Sequence, residues 1–202
     1  MQHSKNDFCK GGRLVVSLLA EKVAKIKFNR IWSMPNRHTF TIKPIRELLA
    51  RYIQQQQQQV WIDPFAGYNS PATITNDLNP KCPTDYHLEA IDFLQVIKER
   101  KETVYGVLLD PPYSPRQVKE CYEGLGLKVT QSATNKQFWT KTRKFIAQEF
   151  KPKVVISCGW NSQGLGKNLG YSIIEILLVA HGGSRNDTIV TVEQPIEEVR
   201  QT

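Results

Sequence analysis

Asp110-Pro111-Pro112-Tyr113 is the stretch of this 202-residue chain whose residue types are best suited to chemistry. It follows the apolar run Val104-Tyr105-Gly106-Val107-Leu108-Leu109, which reads as a buried strand. A strand that delivers a carboxylate, two prolines and an aromatic ring at its carboxyl end makes a shaped polar pocket at the edge of an α/β sheet, where ligands sit in such folds. The prolines fix the backbone, so the Pro111 carbonyl has a set direction. Asp110 and that carbonyl can both accept hydrogen bonds from one amino group, and Tyr113 offers a flat face to a planar ring. The set fits a planar ring carrying an exocyclic amine. A strand ending in a proline turn with a solvated acid is the plainer account of the tetrapeptide alone, but a second motif weighs against it.

That motif is Val60-Trp61-Ile62-Asp63-Pro64-Phe65-Ala66-Gly67, again a short apolar strand ending in an acid and then a glycine turn. Gly67 permits close approach of backbone to a ligand, and Asp63 can bind an ammonium or a hydroxyl. Upstream lies His38-Thr39-Phe40-Thr41-Ile42-Lys43-Pro44, followed by Ile45, Leu48, Leu49, Tyr52 and Ile53. Those apolar positions step by three and four, the pattern of an amphipathic helix with Pro44 in its first turn.

The three blocks resemble those of the adenine DNA methylases, a family of amino-group methyltransferases that use S-adenosylmethionine. Asp-Pro-Pro-Tyr is similar to their catalytic motif and Asp-Pro-Phe-Ala-Gly to their cofactor motif. The stretch from His38 to Pro44 resembles their His-Pro-Thr-x-Lys-Pro block, one residue longer here and without its first proline. The resemblance runs from about Ile31 to about Gln194. It implies catalytic roles for Asp110, Pro111, Pro112 and Tyr113. It also implies a cofactor pocket lined by Asp63, Phe65 and Gly67 and closed by Phe40, Lys43 and Pro44. Asp77 is placed to hold ribose hydroxyls. Glu89, where the family shows an aspartate before Phe93-Leu94, is placed either at the cofactor adenine or as a solvated helix cap. The fold implied is a Rossmann-like methyltransferase sheet, mostly parallel with one antiparallel strand.

The strands that would carry these residues read as 60–65, 73–77, 85–88, 104–110, 153–158, 172–180 and 187–193. Helices read as 13–26, 44–55, 91–100, 115–124 and 136–149. The helix after the catalytic motif has a complete start signal: Ser114 as cap, Pro115 first and Gln117 three residues after the cap. Asp77 lies only fourteen positions after Asp63. A strand-helix-strand unit needs more, its ribose acid coming about 20 residues on, so the first crossover helices are expected to be shortened or lost.

A formal charge of +8 and a pI near 9.3 suit a polyanionic partner without separating DNA from RNA. Arg116, Lys119 and Arg185 are candidate phosphate contacts, and Trp160 either stacks on a base or packs in the interior. Cys9, Cys82, Cys121 and Cys158 stand apart with no C-x-x-C pair, which argues for reduced thiols and against a metal. Leu14 to Ala20 is too short to span a membrane. It reads as part of an amphipathic helix ending in Glu21-Lys22, with a secretory leader as the competing pattern. The intracellular cofactor favours the helix and an intracellular location. The organisation expected is a helical extension over residues 1–30 and one catalytic domain over 31–202, leaving too little chain for a separate target-recognition domain unless a partner adds one. Gln54 to Gln59 reads as a tolerated surface extension.

Three readings of function follow. The resemblance points first to methylation of the adenine amine in DNA. The second is a relative acting on RNA or on another amino group; an Asn in place of Asp110 would have favoured an amide. The third is a non-catalytic module that binds cofactor or nucleic acid beside an active partner.

Overall fold

The computed structural model describes residues 25–55, 58–127, 136–183 and 185–197. Its strands are β1 (Lys27–Trp32), β2 (Val60–Asp63), β3 (Ile74–Thr75), β4 (Val104–Leu109), β5 (Val154–Gly159), β6 (Tyr171–Ala180) and β7 (Thr188–Pro195). Its helices are α1 (Lys43–Gln54), α2 (Ala90–Glu99), α3 (Pro115–Gly124) and α4 (Lys136–Phe145). The strands form one sheet in the order β1-β6-β7-β5-β4-β2-β3. Only β7 runs antiparallel, to both of its neighbours β5 and β6; every other pair is parallel. This is a Rossmann-like α/β sheet with one antiparallel member, as the alternation of strands and helices indicates.

Two apolar layers clamp the sheet. On one face Ile45, Leu48 and Leu49 of α1 pack with Trp61, Leu108, Ile156, Leu177, Val179 and Val190. On the other, Phe93, Leu94 and Ile97 of α2 and Ile146 after α4 pack with Ile62, Val107, Leu109 and Val155. The central strands are buried on both faces, which is why β4 reads as an apolar run and β5 as one broken only by Ser157. Gly106 is required by Trp61, because a methyl group there would overlap the indole ring. Glu175 on β6 sits buried beneath α1, where it accepts from Arg51 at 2.7 Å and from the Tyr52 hydroxyl at 2.9 Å and pairs with Lys27 at 3.2 Å. These partners hold its pKa below the ordinary value despite burial.

No helix lies between β2 and β3, nor between β3 and Tyr86; α2 follows only after that, ahead of β4. The strand expected over 73–77 is only two residues long, and that expected over 85–88 is a single bridge between Asn76 and Tyr86. Side-chain bonds substitute for the missing helices. The buried Asn76 amide donates to the Pro64 carbonyl at 3.0 Å and the Leu88 carbonyl at 2.9 Å, and its oxygen accepts from the Leu88 N–H at 2.9 Å. One residue thus ties the loop after β2 to the segment entering α2.

The amino-terminal organisation departs from expectation. Residues 13–24 of the expected helix over 13–26 lie outside the described residues, and Lys27–Trp32 is the edge strand β1. The expected domain boundary at residue 30 therefore falls within a strand paired to β6 from Lys27 to Trp32, and residues 27–30 belong to the sheet. At the other end, the helix expected over 136–149 is α-helical to Phe145 and continues as a π-helical turn, Ile146–Phe150, closed by Lys151 in the left-handed region (φ 48°). Among the described residues no helix is long and apolar enough to cross a membrane.

Candidate active site

The chain runs outward from β2 to β3 and returns to β4 on the other side of β2. The carboxyl ends of β2 and β4 therefore diverge at a topological switch point, the place where an open α/β sheet leaves a crevice. A cleft of about 830 Å³ opens there, within the usual range of roughly 300–1,000 Å³ for small-molecule sites. The loop after β2 supplies Pro64, Phe65, Ala66 and Gly67; the loop after β4 supplies Asp110, Pro111, Pro112 and Tyr113; Asp77, Glu89 and Phe40 complete the wall.

Asp110 lines the cleft, partly accessible through it. Burial raises its pKa, against the opposing pull of hydrogen bonds from Tyr113 and Thr39. The Tyr113 hydroxyl donates to the Asp110 carboxylate, and the Tyr113 ring lies 5.7 Å from that of Trp160 at an angle of 53°. The start of α3 holds this tyrosine. Ser114 caps the helix by accepting from the Gln117 N–H at 3.2 Å, while the Gln117 side chain reaches past the cap and accepts from the Tyr113 N–H at 2.7 Å. The expected capping box is thus shifted by one residue, and it fixes the motif's own backbone.

On the β2 side, Gly67 adopts φ +55°, and a side chain there would point into open space. Its N–H donates to Asp77 at 3.0 Å; the other Asp77 oxygen accepts from the Asn79 N–H at 2.8 Å. Glu89 receives the Tyr122 hydroxyl of α3 on both oxygens, at 2.7 and 2.8 Å. Two carboxylates, a glycine cradle and the apolar Phe40 and Phe65 suit a ligand that combines hydroxyls, an amine and a planar ring. The residues present therefore fit a nucleoside cofactor.

Not every expected residue lies on the cleft. Asp63 is fully buried behind the wall, where it accepts from the Phe65 N–H at 2.9 Å and the Ser70 hydroxyl at 2.6 Å. Burial, with the charges of Asp110 and Asp77 adding, pushes its pKa up to about 7. It shapes the turn that presents Phe65 and Gly67. Pro44 is buried in the first turn of α1, and Lys43 is exposed beside Glu47 at 4.0 Å; neither lines the cleft. Arg116 and Lys119 lie exposed on α3, paired with Glu120 at 2.8 Å and Glu123 at 3.5 Å. Trp160 and Arg185 line a separate groove.

Sequence reasoning missed Tyr122, Arg37, Phe138 and Trp139, which also line the cleft. Tyr122 reaches a partner 33 positions away, a relationship with no local signature. Trp139 had a periodic apolar signal, but only the fold turns it toward Phe65, ring to ring at 5.8 Å.

Two solved structures can be set beside the chain. One, provisionally described as a methylase, from Haemophilus influenzae, is 14% identical, with 76% of this chain and 89% of its own covered and a TM-score of 0.44. The other, provisionally described as a methyltransferase, from Escherichia coli, is 10% identical, with 78% and 88% covered and a TM-score of 0.46. No family model matches the chain, and no curated protein sequence does. Likeness at this level leaves the reaction to be argued from the topology and the cleft.

Proposed function

We propose that this chain is an S-adenosylmethionine-dependent methyltransferase acting on the exocyclic amine of adenine in DNA. The observation that carries the reading is the meeting of Asp110-Pro111-Pro112-Tyr113 with Gly67, Asp77 and Glu89 in one cleft at the switch point between β2 and β4.

Gly67, Phe65, Asp77 and Glu89 would hold the cofactor. When bound there, S-adenosylmethionine supplies a methyl group already activated on its sulfonium. The amine of an aromatic base is a poor nucleophile because its lone pair is delocalised into the ring. Asp110 and the Pro111 carbonyl accept its two hydrogens, favour a more tetrahedral nitrogen and aim its lone pair. The raised pKa of Asp110 makes it a stronger acceptor and a fit recipient for the proton that the methylated nitrogen sheds. No strong base acts before attack; positioning and electrostatics supply most of the rate. A base inside a duplex cannot reach this depth, so it flips out, and Tyr113 replaces the stacking it loses.

The test is transfer of a labelled methyl group to DNA, RNA and protein side by side, with nucleoside analysis of the product. N6-methyladenine in DNA is the expected result. Label in RNA or in a protein amide would move the reading to those substrates. Cofactor binding with no transfer to any of the three would make the chain a binding module.

A further inference from the structure

On the reading that the target is a nucleobase amine, we infer that a second groove holds the nucleotide next to the reacting one, so that the enzyme engages at least two nucleotides of a strand. The groove has a volume of about 430 Å³ and is lined by Trp160, Leu178, Arg185, Asn186, Asp187 and Ile189. Its position follows from the sheet. Trp160 comes directly after β5, and Leu178 and Ile189 face one another across β6 and β7. Arg185 and Asn186 belong to the link between those two strands.

Trp160 stands between the two cavities. Its ring packs on Tyr113, which lines the main cleft, while Trp160 itself lines the second groove and is 44% exposed. An indole wedged between a reacting site and an adjoining groove is the platform a neighbouring base needs, because stacking accepts any base. Leu178 and Ile189 give that base an apolar floor. The charges in the groove divide by sign. Asp187 is engaged, accepting from the His181 N–H at 3.1 Å. Arg185 makes no ion pair among the described residues, which leaves its guanidinium to take a phosphate. Aromatic face, apolar floor and unpaired cation lie within one step of the reacting cleft.

The experiment compares methyl transfer to adenosine monophosphate, an adenine-containing dinucleotide and a tetranucleotide, in deoxy and ribo forms, by the native chain and by Trp160→Ala and Arg185→Ala. The native chain should favour the dinucleotide over the mononucleotide in kcat/KM by on the order of tenfold to a hundredfold, with little further gain at four. Trp160→Ala should erase most of that preference. Arg185→Ala should lower the salt dependence of oligonucleotide binding by about one unit of slope. Equal kcat/KM at every length, or a preference untouched by both substitutions, overturns the second groove and leaves the amine reading standing. No transfer at any length, with the cofactor bound, overturns both.

Discussion

The hydroxyl of Tyr113 donates to the carboxylate of Asp110, three positions before it in the same motif. The acceptor proposed for the target amine is thus already engaged by the ring proposed to stack on the target. The phenol occupies one carboxylate oxygen, so an arriving amine shares Asp110 with it. Its hydrogen bond opposes, without cancelling, the burial that raises the pKa of this carboxyl.

Tyr113→Phe tests this arrangement. It keeps the ring and removes the hydroxyl, so transfer should survive within about tenfold, the worth of one net hydrogen bond. The pH profile should change more than the rate. Asp110 works as a carboxylate, so transfer falls as pH drops through its raised pKa. Without the phenol that pKa rises further, and the acid limb of kcat against pH should move to higher pH. An acid limb that stays in place would show that the Tyr113 hydroxyl does not govern Asp110.

Asp110→Ala removes one of the two acceptors for the amine. Losing a transition-state hydrogen bond of this kind costs on the order of 10²–10³ in rate. Glu89, Asp77 and Gly67 are untouched, so S-adenosylmethionine binding by calorimetry should persist. Near-normal turnover by this variant would sink the catalytic assignment.

The elements that carry the cleft were legible because each has a strong local signal. β2 and β4 are short apolar runs ended by acids, and the start of α3 declares itself by Ser114, Pro115 and Gln117. Even the lost helix between β2 and β3 showed in the fourteen-residue step from Asp63 to Asp77. The edge strand β1 was not legible. Phe28, Ile31 and Trp32 remain exposed between Lys27, Asn29 and Arg30, so no buried face imposes a period on the run. Nor can a sequence tell which way a strand-end acid faces. Asp63 and Asp110 end parallel neighbouring strands in similar contexts, yet one turns inward to hold Phe65 and Ser70 while the other lines the cleft.

Gly67→Val should weaken cofactor binding without unfolding the protein. The position lies at φ +55°, which a β-branched residue adopts at a cost of order 1–3 kcal/mol. A β-carbon there would meet no protein atom within 4 Å, so the new side chain starts in open space on the cleft wall. Affinity for S-adenosylmethionine should fall by on the order of tenfold or more, while thermal unfolding stays cooperative. Unchanged affinity would mean that the cofactor lies elsewhere.

The buried Asp63 should leave a mark on stability. Its folded pKa of about 7 lies above the value of about 3.9 in an unfolded chain, so the folded state binds the proton more tightly. Its stabilising contribution is full below about pH 4 and is lost as pH rises to about 7. The urea midpoint of the native chain, compared with that of Asp63→Asn, should therefore decline across this window and run parallel to it above. A constant difference from pH 4 to 8 would show that Asp63 is ionised throughout.

Tyr122→Phe addresses the hold of α3 on the site. None of the residues of α3 is buried, so the bonds from Tyr122 to both Glu89 oxygens are among its few anchors to the body of the protein. If Glu89 receives a cofactor hydroxyl or amine, the phenol competes for the same lone pairs. Removing it should strengthen S-adenosylmethionine binding by up to about tenfold, since a typical hydrogen bond contributes 0.5–1.5 kcal/mol net. Amide hydrogen exchange across α3 should quicken at the same time, because the helix loses a tether. Glu89→Gln should instead weaken the cofactor, because it removes the charge that draws the donor. A Tyr122→Phe variant that binds the cofactor less well would reverse the roles. Tyr122 would then share Glu89 with the ligand, and α3 would be part of the cofactor site itself.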